Sequence, residues 1–417
     1  MRKLLLGTCL VACAVSFSVS AAEHNLQSKN TYLQTVFVAN QAKYSPTLQV
    51  EKDMLNAWGI AIRPKGAGGH FWVTAKDASY EYVGDVTNSG DENLKKIHQD
   101  ALKIVKLPVG GDDKFATGTV FSDSKDKFVI TQTVANGESI KAPAKFLFAS
   151  DGGVISAWTE KKNDDGSFER SGEAVAVVDQ SKEGSQFFGL AISSNYDLIY
   201  AADFGAKPGI KVFDGEFKQV DMKFDNPFDS NKNGQVDAGE YAPFNVQAMQ
   251  NPAGEKHILV AYVKTQACPS EEIKKGTCAK GEIFAGEEDT SKPGYGRIAE
   301  FSESGKLINI WKDGGKLNAP WGVAYSPSDF GALSNKLLVG NFGDGTIAAF
   351  DPYTHEFVDY LRDAKGKPVK IDKVWGLLFG NGESLGDANS LYFAAGPDDE
   401  KDGIFGKLSY IKSEKSK

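Results

Sequence analysis

Basic charge is scarce in this 417-residue chain: 47 Lys and Arg stand against 55 Asp and Glu, a formal net charge of −8. No cationic stripe remains to follow a phosphate backbone, so nucleic acid is disfavoured as a partner. Past residue 22 no apolar run approaches the length of a membrane span, and a span is therefore not expected. Cysteine is limited to four residues and histidine to five. No Ser, His and Asp set converges by spacing, which argues against a hydrolase of the triad kind.

The chain opens with Arg2 and Lys3, an apolar stretch from Leu4 to Val19, and then Ser20, Ala21 and Ala22. That is the order of a secretory signal peptide over residues 1–22, cleaved after Ala21 or Ala22. A lipoprotein-type box, Leu10 to Cys13, is the minor alternative and would anchor the chain through Cys13. Removal of the leader leaves only Cys268 and Cys278, an even pair ten positions apart in a polar stretch. A disulfide is expected there, in a secreted or periplasmic protein.

What the chain does have is a repeat. An aromatic or small residue followed by a small one opens a short apolar strand six times: WGIAI at Trp58, TGTVF at Thr117, FGLAI at Phe188, FNVQAM at Phe244, WGVAY at Trp321 and WGLLF at Trp375. Successive starts lie 59, 71, 56, 77 and 54 residues apart. Three further strand-like runs trail most openings, which is the period of one propeller blade plus variable loops. The expected fold is all-β, a six-bladed β-propeller over residues 23–417. Asp-Gly pairs at Asp151, Asp214 and Asp344 suggest type I′ turns between strands. Blade 2 is read as Thr117 to Phe121, Phe128 to Thr133, Ala144 to Ala149 and Val154 to Thr159. Blade 6 has only three strands before the chain ends, so the spare run from Tyr32 to Val38 is expected to pair as its fourth and shut the ring.

The segments LNAPWGVAYSP, KLLVGNFGDGTIAAFDP and VWGLLFGNG, with SLYFAAGPDDEKDGIFGKL near the C-terminus, resemble a family of uncharacterised, exported bacterial six-bladed propellers related to the NHL-repeat group. FFGLAIS, IYAADF and LNAWGIAIRP match it too. The resemblance implies the fold and export. It carries no activity.

The sharpest chemical motif is DSNKNGQVDAGE, from Asp229 to Glu240, within an insert spanning 226–243. Taken as an EF-hand-like loop it offers Ca²⁺ the side chains of Asp229, Asn231, Asn233, Asp237 and Glu240 and the carbonyl of Gln235, with Gly234 at the sharp turn. Pro227 and Pro243 flank it and break helices, so a lone calcium loop is expected and not a helix pair that opens.

Blade topology places Asn56, Asp77, Asp203, Asn318, Asp344, Asp372, Asp398 and Asp399 on one rim with this loop, as possible further ligands. His70, His98, His257 and His355 map to the opposite rim, and Trp58, Trp321 and Trp375 read as plugs of the core. A second insert, 264–295, holds the two cysteines. Together these features point to an exported, monomeric calcium-binding scaffold that holds an unknown protein or glycan on its acidic rim. The alternative is a calcium-dependent hydrolase of lactones or esters with a metal in the central channel.

Overall fold

A computed structural model describes residues 30–412. The leader, its cleavage site and Cys13 lie outside the described residues. Six sheets, each with its four blade strands antiparallel, stand around one axis, and their innermost strands are neighbours in a closed cycle, from blade 1 through blade 6 and back. The molecule is thus an all-β, six-bladed propeller.

Blades 3 and 5 show the plain pattern: Phe187–Ile192, Leu198–Asp203, Gly209–Asp214 and Gln219–Val220 in one, Pro320–Tyr325, Leu337–Asn341, Ile347–Phe350 and Phe357–Tyr360 in the other. Blade 1 uses Ile60–Ala61, Phe71–Ala75, Ala78–Tyr82 and Ile104–Lys106. Blade 4 has the longest strands, Tyr241–Gln250 and Lys256–Ala267, completed by Gly296–Phe301 and Leu307–Ile310. Its second strand runs past the blade, and the overhang pairs with Ile283–Glu288 from the cysteine-bearing insert.

Blade 2 corrects the sequence reading. Its strands are Ala116–Phe121, Phe146–Ser150, Val154–Trp158 and Val175–Asp179. Val129–Thr133 alternates exposed and buried residues as a blade strand would, but it pairs with Ser139–Pro143 in a separate hairpin across a turn where Gly137 takes a positive φ. A second hairpin, Glu160–Lys162 with Phe168–Arg170, displaces the true outer strand further along the chain. The Asp-Gly turns differ too. Asp214 and Asp344 keep negative φ and cap their turns with their carboxylates, Asp214 accepting from Glu216 N and Lys218 N and Asp344 from Thr346 N.

In the sixth sheet, Val374–Phe379, Ser390–Ala395 and Ile404–Tyr410 are followed by Tyr32–Ala39, antiparallel to Ile404–Tyr410 from Tyr32↔Tyr410 to Ala39↔Ile404, and by Gln49–Val50 beyond it. Just after this strand, Asn40, Gln41, Lys43 and Tyr44 all converge on Asp402. No helix among the described residues is long and apolar enough to cross a membrane.

Candidate functional site

Because each inner strand opens on its repeat motif at the same height, the opening aromatics meet on the axis. Trp58, Phe188, Phe244, Trp321 and Trp375, joined by Phe204 and Phe342, form one buried cluster across the upper channel. Trp58 stacks on Trp375 with centroids 3.8 Å apart, and Phe342 lies 4.0 Å from Trp375. The small residue that follows is needed for this approach. A Cβ on Gly118 would sit 2.6 Å from Leu190 N, and one on Gly376 2.6 Å from Trp58 O. Blade 4 alone replaces that glycine, with Asn245.

Above the plug lies the strand Ile283–Glu288. Its base is tied by the Cys268–Cys278 disulfide, with Cα atoms 6.0 Å apart, and its tip donates from Gly286 N to Phe204 O at 3.0 Å, reaching blade 3. The strand thereby carries Glu287 and Glu288 to a group of rim residues from blades 1 and 6. Glu400 accepts from Asn56 Nδ2 at 2.8 Å, and Asn56 Oδ1 accepts from Trp375 Nε1 at 2.8 Å. Lys373 lies over the Phe342 ring, 4.2 Å from its centroid, and 3.8 Å from Asp399.

Desolvation governs this cluster. Burial, reinforced by Glu400 and opposed by Lys373, pushes the Glu288 carboxyl up to about 8. Burial raises Glu400 as well, against the pull of Asn56 and Lys373, and raises Glu287 against Lys373. Nearby Asp151 is pushed up to about 6 by burial, although Phe115 N donates to it. A carboxyl that holds its proton at neutral pH beside a second carboxyl is a group able to donate a proton. Backbone strain accompanies it, since Asp398, Asp399 and Glu400 all take left-handed φ, of 60, 56 and 64°. For residues with a Cβ that conformation costs roughly 1–2 kcal/mol each, and it turns the Glu400 side chain toward Asn56.

Most of the rim oxygens expected as ligands serve their own loops. Buried Asp203 accepts from Gln186 N and Gly205 N and pairs with Lys211 at 2.9 Å. Asp77 faces Lys106 at 3.3 Å, Asp344 closes on Thr346, and Asp372 accepts from Asp398 N. Asp398 is exposed and 3.4 Å from Lys43. Asn318 is buried and donates to Thr290 O, leaving its Oδ1 without a partner. Asn56 joins the carboxyl cluster through Glu400, and Asp399 borders it through Lys373. Glu287, Glu288, Glu400 and Lys373 were not among the expected site residues. The one available signal was the acidic run Asp398–Asp399–Glu400, while Glu288 sits in an insert whose path the repeat does not dictate.

The 229–240 loop stands on the same side. Asp229 accepts from Lys232 N and Gly234 N, Glu240 folds back to Ser230 N and Asp237 N, and both Asn231 and Asn233 donate to Asp237 Oδ2. Gly234 takes the positive φ the turn requires. Its Val236 packs against the aromatic plug, and Gly239 N donates to Thr265 Oγ1 at the foot of the Ile283–Glu288 overhang. No group of three or more His, Cys, Asp or Glu side chains converges as a metal site among the described residues. Of the histidines, His257 is buried with Nδ1 3.0 Å from Glu300 and Nε2 3.4 Å from the Tyr325 hydroxyl, and His70 pairs with Asp100 at 2.9 Å. His355 approaches Glu300 at 3.8 Å, and the His98 ring faces Lys96 O at 3.1 Å.

No protein-family model matches the chain. It is 25% identical over 375 residues to the uncharacterized protein R648 of Acanthamoeba polyphaga mimivirus, across 88% of this chain and 77% of that protein. It is 30% identical over 226 residues to the uncharacterized protein L690 of the same virus, across 54% of this chain and 52% of that protein. Among solved structures, the apo soluble aldose sugar dehydrogenase of Escherichia coli aligns over 91% of this chain and all of its own, with 12% identity and a TM-score of 0.44. A glucose dehydrogenase structure aligns over 87% of this chain and 98% of its own, at 11% identity and a TM-score of 0.44. These viral relatives do not extend to the exported bacterial, NHL-type kinship suggested by the motifs.

Proposed function

We propose that this chain is an exported, calcium-braced propeller that acts as a binding scaffold, holding a partner protein or glycan on its acidic rim. The supporting observation is the contact of the 229–240 loop with both the plug, through Val236, and the foot of the rim-covering strand, through Thr265. The loop's donors are all oxygens, the set a hard divalent cation prefers: Asp229, Asn231, Asn233, Asp237 and Glu240 side chains and the Gln235 carbonyl. A cation drawn to them stiffens the rim on which Asp398, Asp399 and Glu287 stand exposed. In this reading Tyr32–Ala39 closes the ring that fixes the rim's geometry.

Thermal melting with calcium and with chelator tests it. Calcium raises the Tm of the native chain, and Asp229→Ala combined with Glu240→Ala removes the rise. A native chain whose melting ignores calcium refutes the loop assignment. The second reading, a calcium-dependent hydrolase, draws on Glu288, whose proton persists to about pH 8 beside Glu400. Turnover of lactones or esters that is lost with Glu288→Gln favours it, whereas silence across such substrates leaves the scaffold.

A further inference from the structure

The other end of the channel, away from the capped rim, opens into a cavity of about 410 Å³. That lies within the range of small-molecule pockets, roughly 300–1,000 Å³. Its walls are the lower halves of inner strands and are chiefly apolar, with Ile60 and Ile62 from blade 1, Val120 from blade 2, Leu190 from blade 3, Met249 from blade 4 and Leu378 from blade 6. Its floor is the waist of the channel, where Gly59, Gly118 and Gly376 bring backbones together under Trp321.

The repeat breaks at this waist, and the break supplies the polar group. Asn245, standing where the other five blades have glycine, spends its amide locally, with Nδ2 donating to Trp321 O at 2.7 Å and Oδ1 accepting from Val246 N. Its neighbour Gln247 is oriented by the backbone, because Oε1 accepts from Val323 N at 2.9 Å. That bond fixes the amide's sense. It leaves Gln247 Nε2, a donor with no protein acceptor among the hydrogen bonds of the described residues, on the cavity wall.

At the mouth the charges cancel. Glu303 is held by Ser194 N and Oγ at 2.6 and 2.9 Å, and exposed Lys256 makes no ion pair among the described residues. A pocket that is chiefly apolar, without net charge and equipped with a donor whose direction the backbone fixes, with the Tyr196 hydroxyl also on its wall, selects for an uncharged body bearing an acceptor oxygen. The Glu303–Ser194 contact joins the hairpins of blades 3 and 4, so the wall is formed before a ligand arrives. We infer that the lower channel binds a small, mainly apolar molecule bearing a carbonyl group, its oxygen on Gln247 Nε2. This site is separate from the rim discussed above, and its test does not depend on calcium.

The probe is 6-propionyl-2-(dimethylamino)naphthalene, an uncharged ketone whose emission moves to the blue in apolar surroundings, compared with 2-(dimethylamino)naphthalene, which lacks the carbonyl. The native chain is expected to bind the ketone saturably with a blue shift, roughly five- to tenfold more tightly than the carbonyl-free compound, the effect of one neutral hydrogen bond. Gln247→Glu retains an acceptor for Val323 N and removes the donor. It should erase that preference without weakening the carbonyl-free compound. Ala248→Trp, at an exposed position of the lining, should exclude both compounds while leaving the Tm unchanged. Unsaturable binding, equal affinity for the two compounds in the native chain, or ketone binding unaltered by either substitution overturns the proposal.

Discussion

Glu288 ends the strand Ile283–Glu288, near Glu400 and Glu287, and desolvation lifts its carboxyl from an ordinary value of 4.5 to about 8. The native chain then holds a proton that the unfolded chain has released. The contribution of Glu288 to stability therefore falls as pH climbs from about 4.5 through about 8. Melting followed across that window should show the decline, and Glu288→Gln should flatten it; an unchanged slope in the variant would show that Glu288 ionises freely. Asp402 has the opposite sign. Although its burial works against the charged form, Lys43, Asn40, Tyr44 and Gln41 hold it down to about 2, so its contribution is present above 3.8 and lost as pH falls toward 2. Asp402→Ala, which strands several donors, should cost roughly 2–4 kcal/mol in denaturant melts at neutral pH. Single residues were the least legible scale. A carboxylate that caps its own turn, such as Asp203 or Asp344, has the same sequence signature as one that awaits a ligand, and no composition distinguishes Glu288 from the solvated acids around it.

Elements were legible where the repeat governs them. The six openings place inner strands because an aromatic on the axis and a small residue after it let the strands approach at the waist: five openings carry the aromatic, with Thr117 in blade 2, and five carry the glycine, with Asn245 in blade 4. Blade 2 was misread because a local hairpin satisfies the same alternation as a blade strand, and pairing partners are not written in a period of two. The cysteine pair was legible, yet not what it braces. The disulfide closes a loop holding the short helix Ser270–Lys275 and leads into Ile283–Glu288. A bridge over ten positions contributes about 2–3 kcal/mol in the chain-entropy picture, and here that acts on the insert alone. Cys268→Ser with Cys278→Ser should accelerate hydrogen exchange at the Gly286 amide while the amides of Leu338 and Phe393, deep in blades 5 and 6, remain protected. Uniform loss of protection would mean that the insert is part of the ring's cooperative unit.

At the scale of the whole molecule, a ring concentrates its vulnerability in one seam. Every other blade is a continuous stretch of chain, but the sixth sheet joins residues more than 360 positions apart, Tyr32–Ala39 against Ile404–Tyr410. Tyr32, Phe37 and Val38 are buried there, each contributing roughly 1.5–3 kcal/mol of apolar burial, and the Asp402 contacts secure the strand just past its end. Their sum is comparable to the entire stability of an ordinary domain. Removing residues 1–39 should therefore lower the Tm steeply and leave Ile404–Tyr410 as an open edge, which pairs with other copies and drives oligomerisation visible in sedimentation. A synthetic peptide spanning Tyr32–Ala39, added in trans, should restore the Tm in a concentration-dependent manner and return the chain to its original size. A truncated chain that melts like the intact one and sediments as a single copy would show that five complete blades and a three-stranded sixth can hold the ring without the N-terminal strand.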